Sequence, residues 1–393
     1  MALALGLTQT LGNDVRIALI DRAAGPGLGN GDSRAFAIWA ASKNVLECLG
    51  VWAAIAPDAE AMTSIEISDS ALDDGVRPTR LTYDGVMEGG AQVGYIVPAV
   101  TLHSALYKAV AGLPSITWIA PAEATGLELG AQNAQLTLSD ARTVQAELVI
   151  AAEGRSSKLR EQAGIKTVGW GYGQTGIIAI VQFELPHGGV AIQHFLPGGP
   201  FAILPMTGNR ACVTWSAAEA EAKRVLALDD AGFLAELDHR IGGRFGAITL
   251  AGPRQSWPLD LKMARSLVAR RFALIGDAAH GVHPVAGQGV NLALRDVAAL
   301  VEAVTDTARI GLDFGADAAL ERYERWRRFD STMSAAAYDG LNRIFGIDNT
   351  VLRAGRGAGL GVVDRLPFLK RLILGEAAGL SGEVPKMLKG ERV

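Results

Sequence analysis

Residues 271–296 read RFALIGDAAHGVHPVAGQGVNLALRD, a stretch that gathers several chemistry-bearing residue types. The apolar run at 272–275 reads as a strand. It delivers Gly276 and Asp277 to its C-terminal end, where α/β folds bind ligands. A carboxylate there accepts hydrogen bonds from sugar-type hydroxyls. Pro284 and Gly287-Gln288-Gly289 form a loop whose backbone can approach a flat ligand closely, because glycine has no Cβ. The helix expected over 290–305 turns its free N–H groups and positive dipole end toward the same place. Together these groups suit a flat ring that gains negative charge as it accepts electrons. His280 and His283 stand three apart. With no other His or Cys ligand cluster nearby they read as loop-structuring residues, and no metal is expected.

The rest of the chain must supply the elements that hold this loop. A length of 393 residues leaves room for two or three packed domains. The net charge of −4 gives no footprint for nucleic acid. Cys48 and Cys212, the two cysteines, cannot build a disulfide framework; they read as small core residues of an intracellular protein. No apolar stretch reaches the ~18–20 residues of a spanning helix. The opening MALALGL lacks the positive region and cleavage site of a signal peptide. The expectation is a cytoplasmic protein, soluble or peripheral on the inner membrane.

Residues 1–11 read as a helix, and 15–20 as a β-branched strand closed by Asp21. Residues 24–32 read as a loop and 33–49 as a helix. Short strands (IEIS, LTYD, GYIV) follow within 63–97, then a helix over 101–111 begun by a Thr cap. Strands are expected at 116–120, 126–129, 134–138 and 148–151, and 176–216 reads as antiparallel sheet. The glycines of GYGQTG at 171–176 match a phosphate-loop spacing. A β-branched strand follows them where a helix N-terminus is needed, so they read as a connecting turn.

The run GDAAHxxHPxxGQGxNL closed by Asp296 resembles the second flavin-contacting motif of the aromatic-ring hydroxylases, the single-component flavin monooxygenases. Other segments are similar in the same order. Asp21-Arg22 resembles the ribose-binding end of the second strand, and Arg34 resembles the family's early cofactor-contacting arginine. IAAEGRSSKLR at 150–160 resembles the family's D-G motif, with Glu153 where the family carries Asp. PHGGVAIQHFLPGGPFAILPM (186–206), SWPL (256–259), DGLNRIFG, LPFLKRLIL and PKMLKG resemble the ubiquinone-biosynthesis branch.

The resemblance implies an α/β fold like that of p-hydroxybenzoate hydroxylase. A Rossmann-like FAD-binding domain (1–62, 98–165 and 263–310) is interrupted by a β-rich substrate domain (63–97 and 166–262), and a helical C-terminal region spans 311–393. The family's first strand and glycine loop, roughly 20 residues, would precede the helix at 1–11, so this unit is expected to be N-terminally truncated. The implied FAD contacts are Asp21, Arg22, Arg34, Glu153, Gly276, Asp277, Pro284, Gly287, Gly289, Val290 and Asn291. Pro284, Gly287 and Gln288 are the implied substrate-side catalytic contacts.

The implied reaction uses NAD(P)H and dioxygen. A flavin C4a-hydroperoxide transfers oxygen to the ring of a polyprenylated phenol, under an apolar lid carrying Phe195, Pro197 and Phe201. The basic C-terminal stretch with Lys370, Arg371, Lys386 and Lys389 is either a solvated face or a peripheral membrane contact. A biosynthetic complex or a homo-oligomer is among the implied partnerships. Two other readings stay open: a hydroxylase of soluble phenolic compounds, and a non-catalytic, cofactor-free scaffold.

Overall fold

The computed structural model describes residues 1–25, 32–74 and 77–393. Of the loop expected at 24–32, residues 26–31 lie outside the described residues. The Ala- and Leu-rich opening forms α1 (Ala2–Leu11), with Leu3, Leu5 and Leu7 buried. Gly6 lets it lie close to a later helix, since a Cβ there would sit 2.7 Å from Val301 Cγ2. The β-branched run forms β1 (Ile17–Ile20).

Where the sequence pattern suggests one helix over 33–49, the chain forms β2 (Ala35–Trp39) and then α2 (Ala40–Cys48). Strand pairing overrides the helical pattern here. One edge of β2 pairs with a later strand, and the other is filled by Asn291. Its side chain accepts from the Trp39 N–H at 3.0 Å and donates to the Ala37 carbonyl at 2.8 Å.

After α3 (Trp52–Ile55) come β3 (Glu60–Ala61), β4 (Ser64–Asp69), β5 (Leu81–Asp84) and β6 (Gly94–Pro98). β6 is the antiparallel partner of β2, with Ala35 opposite Pro98. α4 (Ala99–Val110) starts directly after Pro98, two residues before the expected Thr cap. Proline fixes its own φ and needs no donor at a helix start, and the Thr101 hydroxyl instead donates to Asp58 at 2.8 Å. β7 (Ile116–Ile119) runs parallel to β1, Ile116 beside Ile17. A meander of β8 (Ala124–Leu129), β9 (Ala134–Leu138) and β10 (Thr143–Ala146) leads to β11 (Val149–Ala151) and the short α5 (Lys158–Gln162).

β12 (Thr167–Phe183) starts the large sheet, and the GYGQTG segment lies inside this strand rather than in a turn. Its glycines serve a bulge: the ladder shifts register between Gly171 and Gln174, and Gly173 takes φ +63. β13 (Val190–Leu196), β14 (Gly199–Met206) and β15 (Arg210–Ala218) continue the antiparallel pattern, backed by α6 (Glu219–Leu226) and α7 (Asp230–Ile241). β16 (Ile248–Leu250), β17 (Gln255–Ala264), β18 (Val268–Ala269), β19 (Phe272–Leu274) and β20 (His280–Gly281) follow.

The large sheet has the order β20-β17-β12-β15-β14-β13-β4-β5, with β16 also paired to β12. β4 joins it parallel to β13. β19 runs parallel to β11 in a smaller sheet. The chain then enters α8 (Gly289–Arg309), buried along most of its length among α1, α2 and α9 (Asp317–Gly346). α10 (Thr350–Arg365) and α11 (Pro367–Ala378) cross the open face of the large sheet. The last turn comes back to the first core, where Met387 and Leu388 are buried. Lys386 and Lys389 therefore sit with α2 and α8, while Lys370 and Arg371 lie on α11.

Candidate functional site

β19 is fully buried, so it acts as a rigid stem for the loop that follows. Gly276 takes φ +61 and turns the chain out of the strand. The loop is fixed from beneath by Asp296 on α8. Its carboxylate accepts from the Gly276 N–H at 2.8 Å, His280 Nε2 at 2.6 Å and Arg327 Nε at 2.7 Å. Burial works against this charge, yet His280 and Arg327 hold the carboxyl below the usual Asp range. Asn291, one turn before Asp296, donates to the Gly287 carbonyl at 3.0 Å and ties the loop to β2.

The upper side of the loop opens into a cavity of about 1480 Å³. Pro284, Gly287, Gln288, Gly289, Val290, Asp277 and Arg34 all line it, so seven of the residues chosen from the sequence meet in one place. Gly287 takes φ +60, and a Cβ on it would lie 3.2 Å from Ala37 Cβ. The α8 N-terminus carries no side-chain cap and no acid in its first turn, which leaves its N–H groups for a ligand. Gln288 is fully buried. Its Nε2 donates to the Ala377 carbonyl at 3.3 Å, while its Oε1 has no hydrogen-bond partner among the described residues. Arg34 is bound to Asp32 at 2.7 Å; this pairing, set against partial burial, raises the guanidinium's pKa further.

Other chosen residues lie elsewhere. Gly276 and Asn291 shape the loop without lining the cavity. Asp21 and Arg22 are exposed at the end of β1, where Asp21 accepts from the Ala23 N–H at 2.9 Å. Glu153 turns its carboxylate to the start of α5, accepting from Ser157 Oγ at 2.6 Å and the Leu159 N–H at 3.0 Å. Of the expected lid, Phe195 lines the cavity and Pro197 is exposed. Phe201 points to the other side of the sheet, against Trp215 on the α6–α7 core. Side chains alternate along a strand, and the His194–Phe201 pairing puts Phe201 opposite Phe195's face.

Sequence reasoning passed over Arg155 and Asp260, which also line the cavity, as does Trp257 of the SWPL segment. Arg155 reaches Asp277 at 3.3 Å, the Asp260 carboxylate, and the Val282 carbonyl at 2.7 Å. Its signal was its place directly after Glu153-Gly154 in the quoted motif. His283, beside Pro284, is fully buried, and burial with Arg155 nearby lowers its pKa to about 4. Its Nδ1 accepts from the Val285 N–H at 3.2 Å, so the neutral ring donates from Nε2 to Gln174 at 3.3 Å. Both histidines thus structure the loop. Among the described residues no group of three or more His, Cys, Asp or Glu could hold a metal ion.

The cavity has two unlike ends. Arg34, Arg155, Asp260 and Asp277 gather at the loop. At the far end Ile67, Leu81, Phe195, Phe345, Leu360 and Val363 make an apolar wall, with Phe195 and Phe345 stacked at 4.0 Å. Tyr83 there is pushed up to about 12 by burial, so it stays neutral.

The FAD binding domain family matches residues 5–330. Ubiquinone hydroxylase UbiL of Rhodospirillum rubrum is 41% identical over 362 residues, covering 91% of this chain and 83% of that protein. The 3-demethoxyubiquinol 3-hydroxylase of Escherichia coli is 32% identical over 385 residues, 96% of this chain and 95% of that one. The crystal structure of p-nitrophenol 4-monooxygenase PnpA from Pseudomonas putida superposes with a TM-score of 0.79 over 97% of this chain and 96% of that chain. At 17% identity it speaks for the fold alone.

Proposed function

The chain belongs to the FAD binding domain family, and from that premise we propose that it hydroxylates the aromatic ring of a ubiquinone precursor bearing an apolar tail. The two-ended cavity carries this reading. Its charged end lies at the loop, its apolar wall lies opposite, and its 1480 Å³ exceeds the ~300–1,000 Å³ of ordinary small-ligand pockets. The relatives named as ubiquinone and demethoxyubiquinol hydroxylases support the same substrate class.

The loop fits FAD on three counts: the unpartnered Gln288 Oε1, the close backbone approach at Gly287 and the uncapped start of α8. Bound there, FAD supplies the activation of dioxygen, with NAD(P)H as electron donor. Arg34, Asp277, Gly287, Gly289 and Val290 would hold its ring end. The α8 N-terminus would stabilise negative charge developing on it. Asp21 and Arg22 would serve the ribose end. Gly276 and Asn291 act by shaping the loop, and Glu153 by fixing the turn that carries Arg155. Pro284, Gly287 and Gln288 face the substrate ring. Phe195 and Phe345 exclude water from the far side.

The test is product analysis with the FAD-loaded chain, dioxygen and NADH or NADPH, supplying a polyprenyl phenol and soluble phenols in parallel. Hydroxylation of the tailed phenol is the expected outcome. Turnover of the soluble phenols alone overturns the substrate reading.

A further inference from the structure

Thirteen of the nineteen large apolar side chains that the described residues leave exposed lie between 329 and 380, on α9, α10, α11 and their connections. α10 shows the cause. Two of its charged residues reach toward the sheet: Arg356 forms a buried pair with Asp69 on β4 at 2.7 Å, and Asp364 accepts from the Thr82 N–H on β5 at 3.1 Å. Its outer side carries Val351 at 79% exposed, Val362 at 53% and Leu366 at 46% beside the exposed Arg365, continued on α11 by Phe368 at 66%. This is the reverse of a helix on an aqueous surface, which buries its apolar stripe. Because the buried Arg356–Asp69 pair fixes the orientation, the apolar face is part of the fold.

The same helices form the mouth of the cavity. Phe329 and Met333 on α9, with Leu372 and Ile373 on α11, are both exposed and cavity-lining. Charge narrows the choice of occupant. Of the charged residues exposed at 325–380, five are arginines and two, Asp348 and Glu376, are acids, in a chain whose net charge is −4. Arg328 and Arg365 are exposed and have no ion-pair partner among the described residues. A second copy docking here would face its own cationic excess. An anionic lipid surface complements the charge and accepts the apolar side chains.

We propose that the outer face of α9–α11 docks on an anionic lipid surface, so that the cavity opens into the lipid and an apolar tail enters without crossing water. The docking stands on the surface alone, while the delivery of a tailed substrate rests on the function proposed above.

Flotation of the full chain with vesicles of phosphatidylcholine, with and without phosphatidylglycerol, tests it. Binding is expected with the anionic vesicles and is weakened by salt. Phe368→Glu and Val351→Glu, neither lining the cavity, should each weaken binding about tenfold or more. Arg365→Gln should weaken it about fivefold. An unchanged melting temperature and unchanged turnover of a short-tailed phenol in detergent show that the variants are folded and active. Vesicle binding by a chain that hydroxylates only soluble phenols upholds the docking face while ending the substrate reading. The docking proposal is overturned if the chain does not float with anionic vesicles, or if these variants float as well as the parent. A solution mass of two chains that falls to one in Phe368→Glu also overturns it, by showing that a second copy covers the face.

Discussion

Two buried carboxylates hold the two ends of the cavity, and they hold them differently. Asp296, fully buried, sits beneath the loop with three donors from three elements: the Gly276 backbone, His280 and Arg327. Asp69, 5% exposed, sits at the far end with one side-chain partner among the described residues, Arg356, which fastens α10 to β4. Arg356 also donates to the carbonyls of Ile344 and Ile347 at the end of α9, so one side chain joins three elements. The first arrangement freezes a loop whose backbone must fit a ligand closely. The second secures a wall that has to be apolar on both sides. Precision at the loop takes a multiply bonded charge in the core, and enclosure at the far end takes a single strut.

Removing Asp296 should have the largest effect. Asp296→Ala leaves Arg327 buried without its main counter-charge, and about 3–5 kcal/mol of stability should go with it. Chemical denaturation reads the loss, and flavin retention after gel filtration should fall in step. If stability drops while flavin affinity in the remaining folded protein is unchanged, Asp296 does not position the loop. Its depressed pKa also sets a sign. The stabilisation is present above ~3.9, the ordinary Asp value, and fades as pH falls through the lower folded value.

Arg356→Gln should cost less, about 1.5–3 kcal/mol, and act at the other end. KM for a tailed phenol should rise while a short phenol is handled normally. Equal losses for both substrates would break the division between loop and wall. Gly287→Ala should lower stability or flavin affinity by about 1–2 kcal/mol, because Ala is strained at φ +60 and crowds Ala37. A variant that binds flavin as tightly as the parent removes the close-approach argument.

The smallest effect concerns His283. Its folded pKa of about 4 lies below the ordinary ~6.5, so the buried neutral ring adds stability above ~6.5 that is lost as pH falls toward 4. His194, lowered to about 4 by its own burial behind the sheet, adds to the same slope. His283→Gln should shallow the stability–pH curve between ~6.5 and 4 relative to the parent. An unaltered slope would mean that the ring is not held neutral by the fold.

Much of the loop was legible in the sequence because strand, glycines, proline and helix start follow one another within 26 residues, so local chemistry suffices. Asp296 closed the same run, but its role depends on Arg327 from another helix, which no local pattern announces. The helix expected over 33–49 became a strand and a helix because β6 and the Asn291 side chain supply the edges of β2. GYGQTG was correctly refused as a phosphate loop, yet its true place, a bulge inside a 17-residue strand, depends on pairing with β17. Phe195 and Phe201 looked equivalent as lid residues; strand alternation and register send them to opposite faces. The apolar outer stripe of α10 was also present in the sequence. Which side of that helix faces water is decided by Asp69 and Thr82, far away in the chain.

The central claim is that one end of the cavity serves the ring chemistry and the other serves an apolar tail. Its most direct test is kcat/KM of the FAD-loaded chain across a phenol series that differs only in the number of prenyl units. The two-ended cavity predicts a rise of about tenfold or more for the first added unit, levelling off once the apolar wall is covered. A kcat/KM that stays flat or falls with tail length would contradict it.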